Sequence, residues 1–302
     1  MEYRVLGRSE LTVSVIGLGC VTFGREIDEA TAFTVMDRAR ETGITLWDTA
    51  EAYSAGLSEE IVGRWLADRR ARAEIVLATK VTAPLTRARI MTSAEASLRR
   101  LRTDRVDLYQ LHRWDDAVPL EESLEALDAL VRQGKARAIG CSNYAAWQLC
   151  KALWRQEVHG WPRFESVQPN YNLVVRDIEA ELLPLCADQQ VGVISYSPLG
   201  GGFLTGKYRA GGEIPARTRM DYVPAMQPIY FHQAGFRILE GLRARAAALG
   251  VTIPLLALAW AMRHPVVTSI LIGARSIAQV DQGVAAVALP MPAALRAELN
   301  SL

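Results

Sequence analysis

Residues 106–112 read VDLYQLH, a short β-type run that ends on a histidine. Two other runs carry titratable residues at the same place. Residues 75–80, IVLATK, finish on Lys80, and residues 46–53, LWDTAEAY, carry Asp48 and Tyr53 just past a short apolar start. Titratable residues at the C-terminal ends of several strands fit a (β/α)8 barrel, in which all strand C-termini open on one face and that face carries the chemistry. A Tyr, a Lys, an Asp and a His gathered there describe a proton relay, with the tyrosine as general acid for carbonyl reduction.

Working outward, eight short runs rich in Val, Ile and Leu are expected as strands: Val13–Leu18, Thr45–Thr49, Ile75–Lys80, Val106–His112, Ala136–Ser142, Ser166–Pro169, Gly192–Ser197 and Ser269–Gly273. Their apolar character suits strands buried on both faces. Amphipathic stretches lie between them: Glu29–Glu41, Ser58–Arg69 with Ser58 as its cap, Leu120–Gln133 stopped by Gly134, Asp177–Gln190 and Phe236–Leu249. The leading YRVLGRSELTVS holds a polar turn between two β-like pieces and is expected as a hairpin closing the barrel bottom. The expected fold is therefore α/β, a (β/α)8 TIM barrel with an N-terminal β-hairpin, in one domain over residues 1–302. Leu199–Gln233 shows no periodicity, and so long a stretch in a compact domain is expected to be a functional loop.

Composition excludes several classes of function. The 34 basic and 33 acidic residues balance to a net charge of +1 with no basic stripe, so neither nucleic acid nor an anionic membrane is an expected partner. Cys20, Cys141, Cys150 and Cys186 lack CxxC or zinc spacing and read as buried thiols in a reducing compartment, with no metal site. The first residues contain no apolar signal core and no run reaches membrane-span length. A cytoplasmic location is the expectation. Two phosphate-loop look-alikes fail on inspection. GGFLTGKY from Gly201 has Tyr208 where a Walker A loop needs a hydroxyl for magnesium. GLGCVTFG from Gly17 has Thr22 at the third glycine position of a dinucleotide fingerprint.

The residues themselves specify a chemistry. A carbonyl that accepts hydride at carbon needs a proton at oxygen. Free tyrosine, with a pKa of ~10, gives one up reluctantly. A nearby ammonium lowers that value and burial raises it. Lys80 would supply the ammonium, Asp48 would hold Lys80 charged and oriented, and His112 would turn the substrate oxygen toward Tyr53. The expected mouth residues are Val21, Thr22, Trp114, Tyr144 and the stretch Tyr222–His232. Trp114, Tyr222, Tyr230 and Phe231 are candidates for stacking on a sugar or an aromatic aldehyde.

From GLGCVTFG to LIGARSIAQ the chain resembles the aldo-keto reductases, through the blocks DTAEAYSAGLSEEIVG, LHRWD, GKARAIGCSNY, QPNYNL, YSPLGGGFLTGKY and GARSIAQ. The resemblance implies a barrel binding NAD(P)(H) across its C-terminal face and a tetrad of Asp48, Tyr53, Lys80 and His112. It implies that Ser142, Asn143 and Gln168 hold the nicotinamide carboxamide and that Tyr196 stacks on the ring. Ser197, Leu199, Gly201 and Lys207 would line the pyrophosphate, and Gly273, Arg275 and Gln279 the adenosine end. Arg275 would pair with a 2′-phosphate, which favours NADP(H) with NAD(H) possible. The family usually has an acidic residue and then Asn three and four positions after the equivalent of Gln279. Here Gln282 and Gly283 stand there, which implies weaker discrimination against NAD(H). The same scaffold also serves as a cofactor-binding, redox-sensing regulatory subunit of an ion channel, the alternative to an enzyme. An oligomer is possible on either reading.

Overall fold

The computed structural model describes residues 1–302. Two short strands, β1 (Tyr3–Val5) and β2 (Thr12–Ser14), pair antiparallel as a hairpin. Eight more close into an all-parallel barrel: β3 (Ile16–Gly19), β4 (Leu46–Asp48), β5 (Val76–Val81), β6 (Val106–Leu111), β7 (Ala136–Ser142), β8 (Phe164–Gln168), β9 (Gly192–Ser195) and β10 (Val267–Ile272). β10 pairs with both β9 and β3, so no sheet edge is left open. The architecture is the (β/α)8 barrel with an N-terminal hairpin that the sequence implies.

The hairpin plugs the bottom of the barrel. Leu6, Leu11 and Val13 pack with Leu46, Ala78, Leu108, Ala138, Ile194 and Leu271, which alternate along the strands into the barrel interior. A Cβ on Gly192 would lie 2.6 Å from the Leu6 side chain, so a glycine there lets the plug seat. The opposite end of the barrel is thereby the only end left for a site, consistent with the location of chemistry in this fold. A much larger apolar layer, including Trp47, Trp65, Phe164 and Trp260, lies between the barrel and its helices.

The helices between the strands include α1 (Glu29–Glu41), α2 (Leu57–Arg69), α3 (Arg87–Leu101), α4 (Leu120–Arg132) and α5 (Ala146–His159). No single helix of the chain is long and apolar enough to cross a membrane.

Several boundaries differ from the sequence expectation. The run Val13–Leu18 is two strands: Thr12–Ser14 belongs to the hairpin and Ile16–Gly19 to the barrel. Ser58 does not cap α2. Gly56, in the left-handed region at φ 93°, holds that position, and the Ser58 hydroxyl instead donates to the Cys20 carbonyl at 2.8 Å. The expected helix Asp177–Gln190 begins as a 3-10 turn, Asp177–Glu179, and turns α-helical only at Leu182. Pro184 explains the break, because its ring would clash with the carbonyl four residues earlier in a continuous helix. Leu199–Gln233 contains a 3-10 turn at Gly200–Thr205 and short helices at Arg219–Tyr222 and Gln227–Tyr230.

Candidate active site

Lys80 lies on β5 with its side chain pointing into the barrel, and it is fully buried. Its ammonium has three N–H bonds and three acceptors: Asp48 Oδ1 at 2.5 Å, the Thr49 carbonyl at 2.8 Å and the Tyr53 hydroxyl at 3.1 Å. That complete set compensates the desolvation of a buried charge. Burial alone would lower the Lys80 pKa. The attraction of Asp48, helped by Tyr53, outweighs it and holds the amine above its ordinary value, so Lys80 stays charged.

Tyr53 stands on a tight 3-10 turn, Tyr53–Gly56, after β4. Ser54 and Ala55 follow with φ of 50° and 53°, a left-handed backbone that non-glycine residues rarely adopt. Strain of this kind persists where its surroundings impose it. Here the Ser54 hydroxyl donates to the Phe23 carbonyl at 3.1 Å, and Gly56 packs beneath Arg100. The turn aims the phenol back at Lys80. Burial pushes the Tyr53 pKa up, Lys80 pulls it down, and burial prevails, so the phenol rests protonated.

His112 follows β6 and meets the Tyr53 ring edge-on, with centroids 5.9 Å apart. Burial and the nearby Lys80 and Arg113 cations push its pKa down to about 3, so the imidazole is neutral. A neutral imidazole carries one N–H donor and one acceptor.

One residue of this cluster was missed in the sequence. Gln110 on β6 is fully buried and donates from Nε2 to Asp48 Oδ2 at 3.1 Å. Gln168 Nε2 donates to the same oxygen at 2.9 Å and to Gln110 Oε1 at 3.2 Å. The Asp48 carboxylate is thus held by an ammonium on one oxygen and two amides on the other. The signal available in the sequence was a glutamine inside an apolar run, two residues before His112 and so on the same face of the strand.

Asp48, Tyr53, His112 and Gln168 form the floor of a cavity of about 490 Å³ at the strand C-termini, with Lys80 and Gln110 buried behind them. Of the residues expected around a cofactor, Ser142, Asn143, Gln168, Tyr196, Ser197, Leu199, Gly201, Lys207, Gly273, Arg275 and Gln279 all line it. Asn143, with φ 58°, donates to the His112 carbonyl at 2.9 Å and accepts from the Tyr196 hydroxyl at 2.8 Å. The run Gly200–Gly202 has φ of 57°, 63° and 91°, a backbone that favours glycine. Arg275 donates to the Arg217 carbonyl at 2.9 Å, and Arg219 pairs with Glu26 at 2.7 Å. These two ties hold the segment after Gly211 across the cavity.

The departure at Gln282 and Gly283 has a packing counterpart. Gln282 lines the cavity, whereas a Cβ on Gly283 would lie 2.8 Å from Ile272 Cδ1. Position 283 faces β10, and an asparagine there would displace that side chain.

The expected mouth residues divide. Val21 and Thr22 line the cavity; Trp114, Tyr144 and Tyr222 do not. Tyr144 is buried against Phe164 and under Trp114, whose Nε1 donates to Asp116 at 2.6 Å. Tyr230 is buried with its hydroxyl bonded to Asn170, and Phe231 packs among Phe203, Tyr208 and Phe236. Both rings are consumed by the core and are unavailable for stacking on a substrate. From the expected stretch Tyr222–His232 it is Met226 and Ile229 that line the cavity, joined by Arg113 and Asn170, which were not expected there.

Comparison with known proteins adds an independent line. The model of the Aldo/keto reductase family matches residues 15–302. An uncharacterized oxidoreductase, YrpG, of Bacillus subtilis (strain 168) is 36% identical over 100% of this chain and 96% of its own length. A probable voltage-gated potassium channel subunit beta of Arabidopsis thaliana is 34% identical over 95% of this chain and 91% of its own. Versiconal hemiacetal acetate reductase of Aspergillus parasiticus is 31% identical over 95% of this chain and 92% of its own.

Proposed function

The chain belongs to the aldo/keto reductase family, and from that premise we propose that it is an NADP(H)-preferring oxidoreductase that interconverts an aldehyde, ketone or sugar carbonyl and its alcohol, with Tyr53 as the general acid/base. The observation that carries this reading is the Tyr53 hydroxyl 3.1 Å from a charged, fully buried Lys80 at the floor of an open cavity.

A nicotinamide cofactor held along this cavity would supply the hydride for the carbonyl carbon. The chain supplies the rest. The neutral His112 imidazole donates to the carbonyl oxygen and turns it toward Tyr53. The Tyr53 O–H then gives its proton to that oxygen as negative charge develops there. Lys80, 3.1 Å from the phenol oxygen, stabilises the tyrosinate left behind, and Asp48 holds Lys80 in place. In the alcohol-oxidising direction the same groups run in reverse.

For the cofactor, the Gly200–Gly202 backbone and the cations Lys207 and Arg275 suit phosphate oxygens. No carboxylate pairs with either cation in the structure. Ser142, Asn143 and Gln168 converge on the tetrad end, where a carboxamide needs them. Arg275 favours a 2′-phosphate, while Gln282 and Gly283 in place of an acid and an Asn weaken the adenine contact. Dissociation constants for NADPH and NADH, measured by fluorescence titration, should favour NADPH by less than roughly 10³-fold, or about 4 kcal/mol. A wider gap contradicts this part of the reading.

Residues 1–302 act as one domain on this reading, and the unpaired cysteines suit the cytoplasm; Cys20, Cys141 and Cys186 are buried as expected, whereas Cys150 is exposed. A second reading, a cofactor-binding regulatory subunit, is favoured by the plant relative named as a potassium channel subunit. The assembled tetrad supports turnover. The deciding experiment is NADPH consumption with aromatic, aliphatic and sugar aldehydes. Steady oxidation supports the enzyme, and tight NADPH binding without oxidation supports the regulator.

A further inference from the structure

The cavity wall carries four cations, Arg113, Lys207, Arg219 and Arg275, and two carboxylates, Asp48 and Glu26. Both carboxylates are engaged: Asp48 by Lys80, Glu26 by Arg25 and Arg219. Lys207 and Arg275 belong to the end of the cavity assigned above to cofactor phosphates. Arg113 is at the other end, beside Tyr53 and His112, and its guanidinium makes no hydrogen bond or ion pair within the chain.

Acids near Arg113 are already committed. Asp115 accepts from the Leu85 and Ala117 amides, Asp116 accepts from Trp114, and Glu51 is held by Thr82, Arg89 and Ser93. The backbone on either side of Arg113 is anchored. Asn143 donates to the His112 carbonyl at 2.9 Å, and Trp114 is wedged edge-on against Tyr144 and Trp147 at 5.2 and 5.5 Å. Arg113 is exposed at the substrate end of the cavity, on an anchored stretch of backbone and with its guanidinium unpartnered, so it is free to receive an anion.

Resting on the carbonyl-reductase reading, we propose that Arg113 selects substrates that carry an anionic oxygen group, a carboxylate or phosphate, remote from the reacting carbonyl. Binding energy from a part of the substrate that does not react positions the part that does. Arg113 thereby discriminates between carbonyl compounds without taking part in the proton relay.

The test compares 4-carboxybenzaldehyde with its neutral methyl ester, in wild type and in Arg113→Gln. The readout is the ratio of kcat/KM for acid over ester. A charge-assisted hydrogen bond gives the acid an advantage of about tenfold or more in wild type, and Arg113→Gln brings the ratio near unity. 4-Formylphenyl phosphate run beside the acid distinguishes a carboxylate from a phosphate preference. Equal use of acid and ester by the wild type, or an unchanged ratio in Arg113→Gln, overturns the proposal. Should neither aldehyde be reduced, the reductase reading fails separately. Calorimetric binding of 4-hydroxymethylbenzoate to the NADP+-loaded protein then decides on Arg113: weaker binding to the variant supports it, and equal binding refutes it.

Discussion

Tyr53→Phe is expected to lower kcat for carbonyl reduction by about 10²–10⁴-fold, the usual contribution of a positioned general acid. The substitution removes one oxygen and leaves the ring that packs edge-on against His112 and beneath the Lys80 ammonium. The cavity keeps its shape, so the dissociation constant for NADPH should change by less than a few-fold. The loss should fall on kcat more than on KM, because the missing proton matters only as charge develops on the carbonyl oxygen. Lys80 would retain two of its three acceptors, Asp48 Oδ1 and the Thr49 carbonyl, and so remain charged. Parallel steady-state kinetics and cofactor titration check this. A variant that keeps more than about a tenth of wild-type kcat would move the acid role to another group.

Asp48→Ala is expected to damage folding as well as activity. It strands a fully buried ammonium and also strips the Gln110 and Gln168 amides of the oxygen they share. Breaking one side of a buried pair typically costs about 3–5 kcal/mol. Without Asp48, burial dominates at Lys80 and drives its pKa down, so the amine sheds its proton instead of bearing an unpaired charge. Adding Lys80→Met to Asp48→Ala should recover a large part of the lost stability, since the stranded group is gone, while activity stays lost. Urea unfolding of both variants separates the two effects. A single-variant loss below about 1 kcal/mol would show that the pair is not the buried anchor described here.

The part of the candidate site legible in the sequence is the part where strand ends carry titratable side chains. Asp48, Lys80 and His112 were readable because each interrupts an apolar run at its C-terminal end, and in a barrel those ends share one face. Gln110 was not, since a glutamine inside a strand gives no hint of its partner until β6 is set beside β4 and β8 around the closed barrel. Aromatic residues misled for a related reason. Trp114, Tyr144, Tyr230 and Phe231 occur in the right loops for a substrate wall, but whether a ring in a loop faces a cavity or the core is a tertiary outcome. Tyr230 turns inward because Asn170 and Asn172 give its hydroxyl a partner beneath the cavity. The stretch after Leu199 lacks periodicity because short 3-10 and α turns hold it, too brief for a helical stripe to register. The first barrel strand was blurred with the hairpin because only Ser14 and Gly17 interrupt the apolar character of Val13–Leu18, and neither is a turn signal that marks the change of partner at Val15.

On the proposed mechanism Tyr53, protonated at rest, is the proton donor, and His112, neutral at rest, is not. The pH dependence of kcat for aldehyde reduction at saturating NADPH tests it most directly. Burial raises the Tyr53 pKa above its ordinary value of 10.0 and pushes His112 from 6.5 down to about 3. The rate is expected to stay level through neutral pH, with no limb near the ordinary histidine value, and to decline only on the alkaline side as Tyr53 loses its proton. A rate that falls as pH rises through the ordinary histidine range would make His112 the donor and rule out Tyr53 in that role.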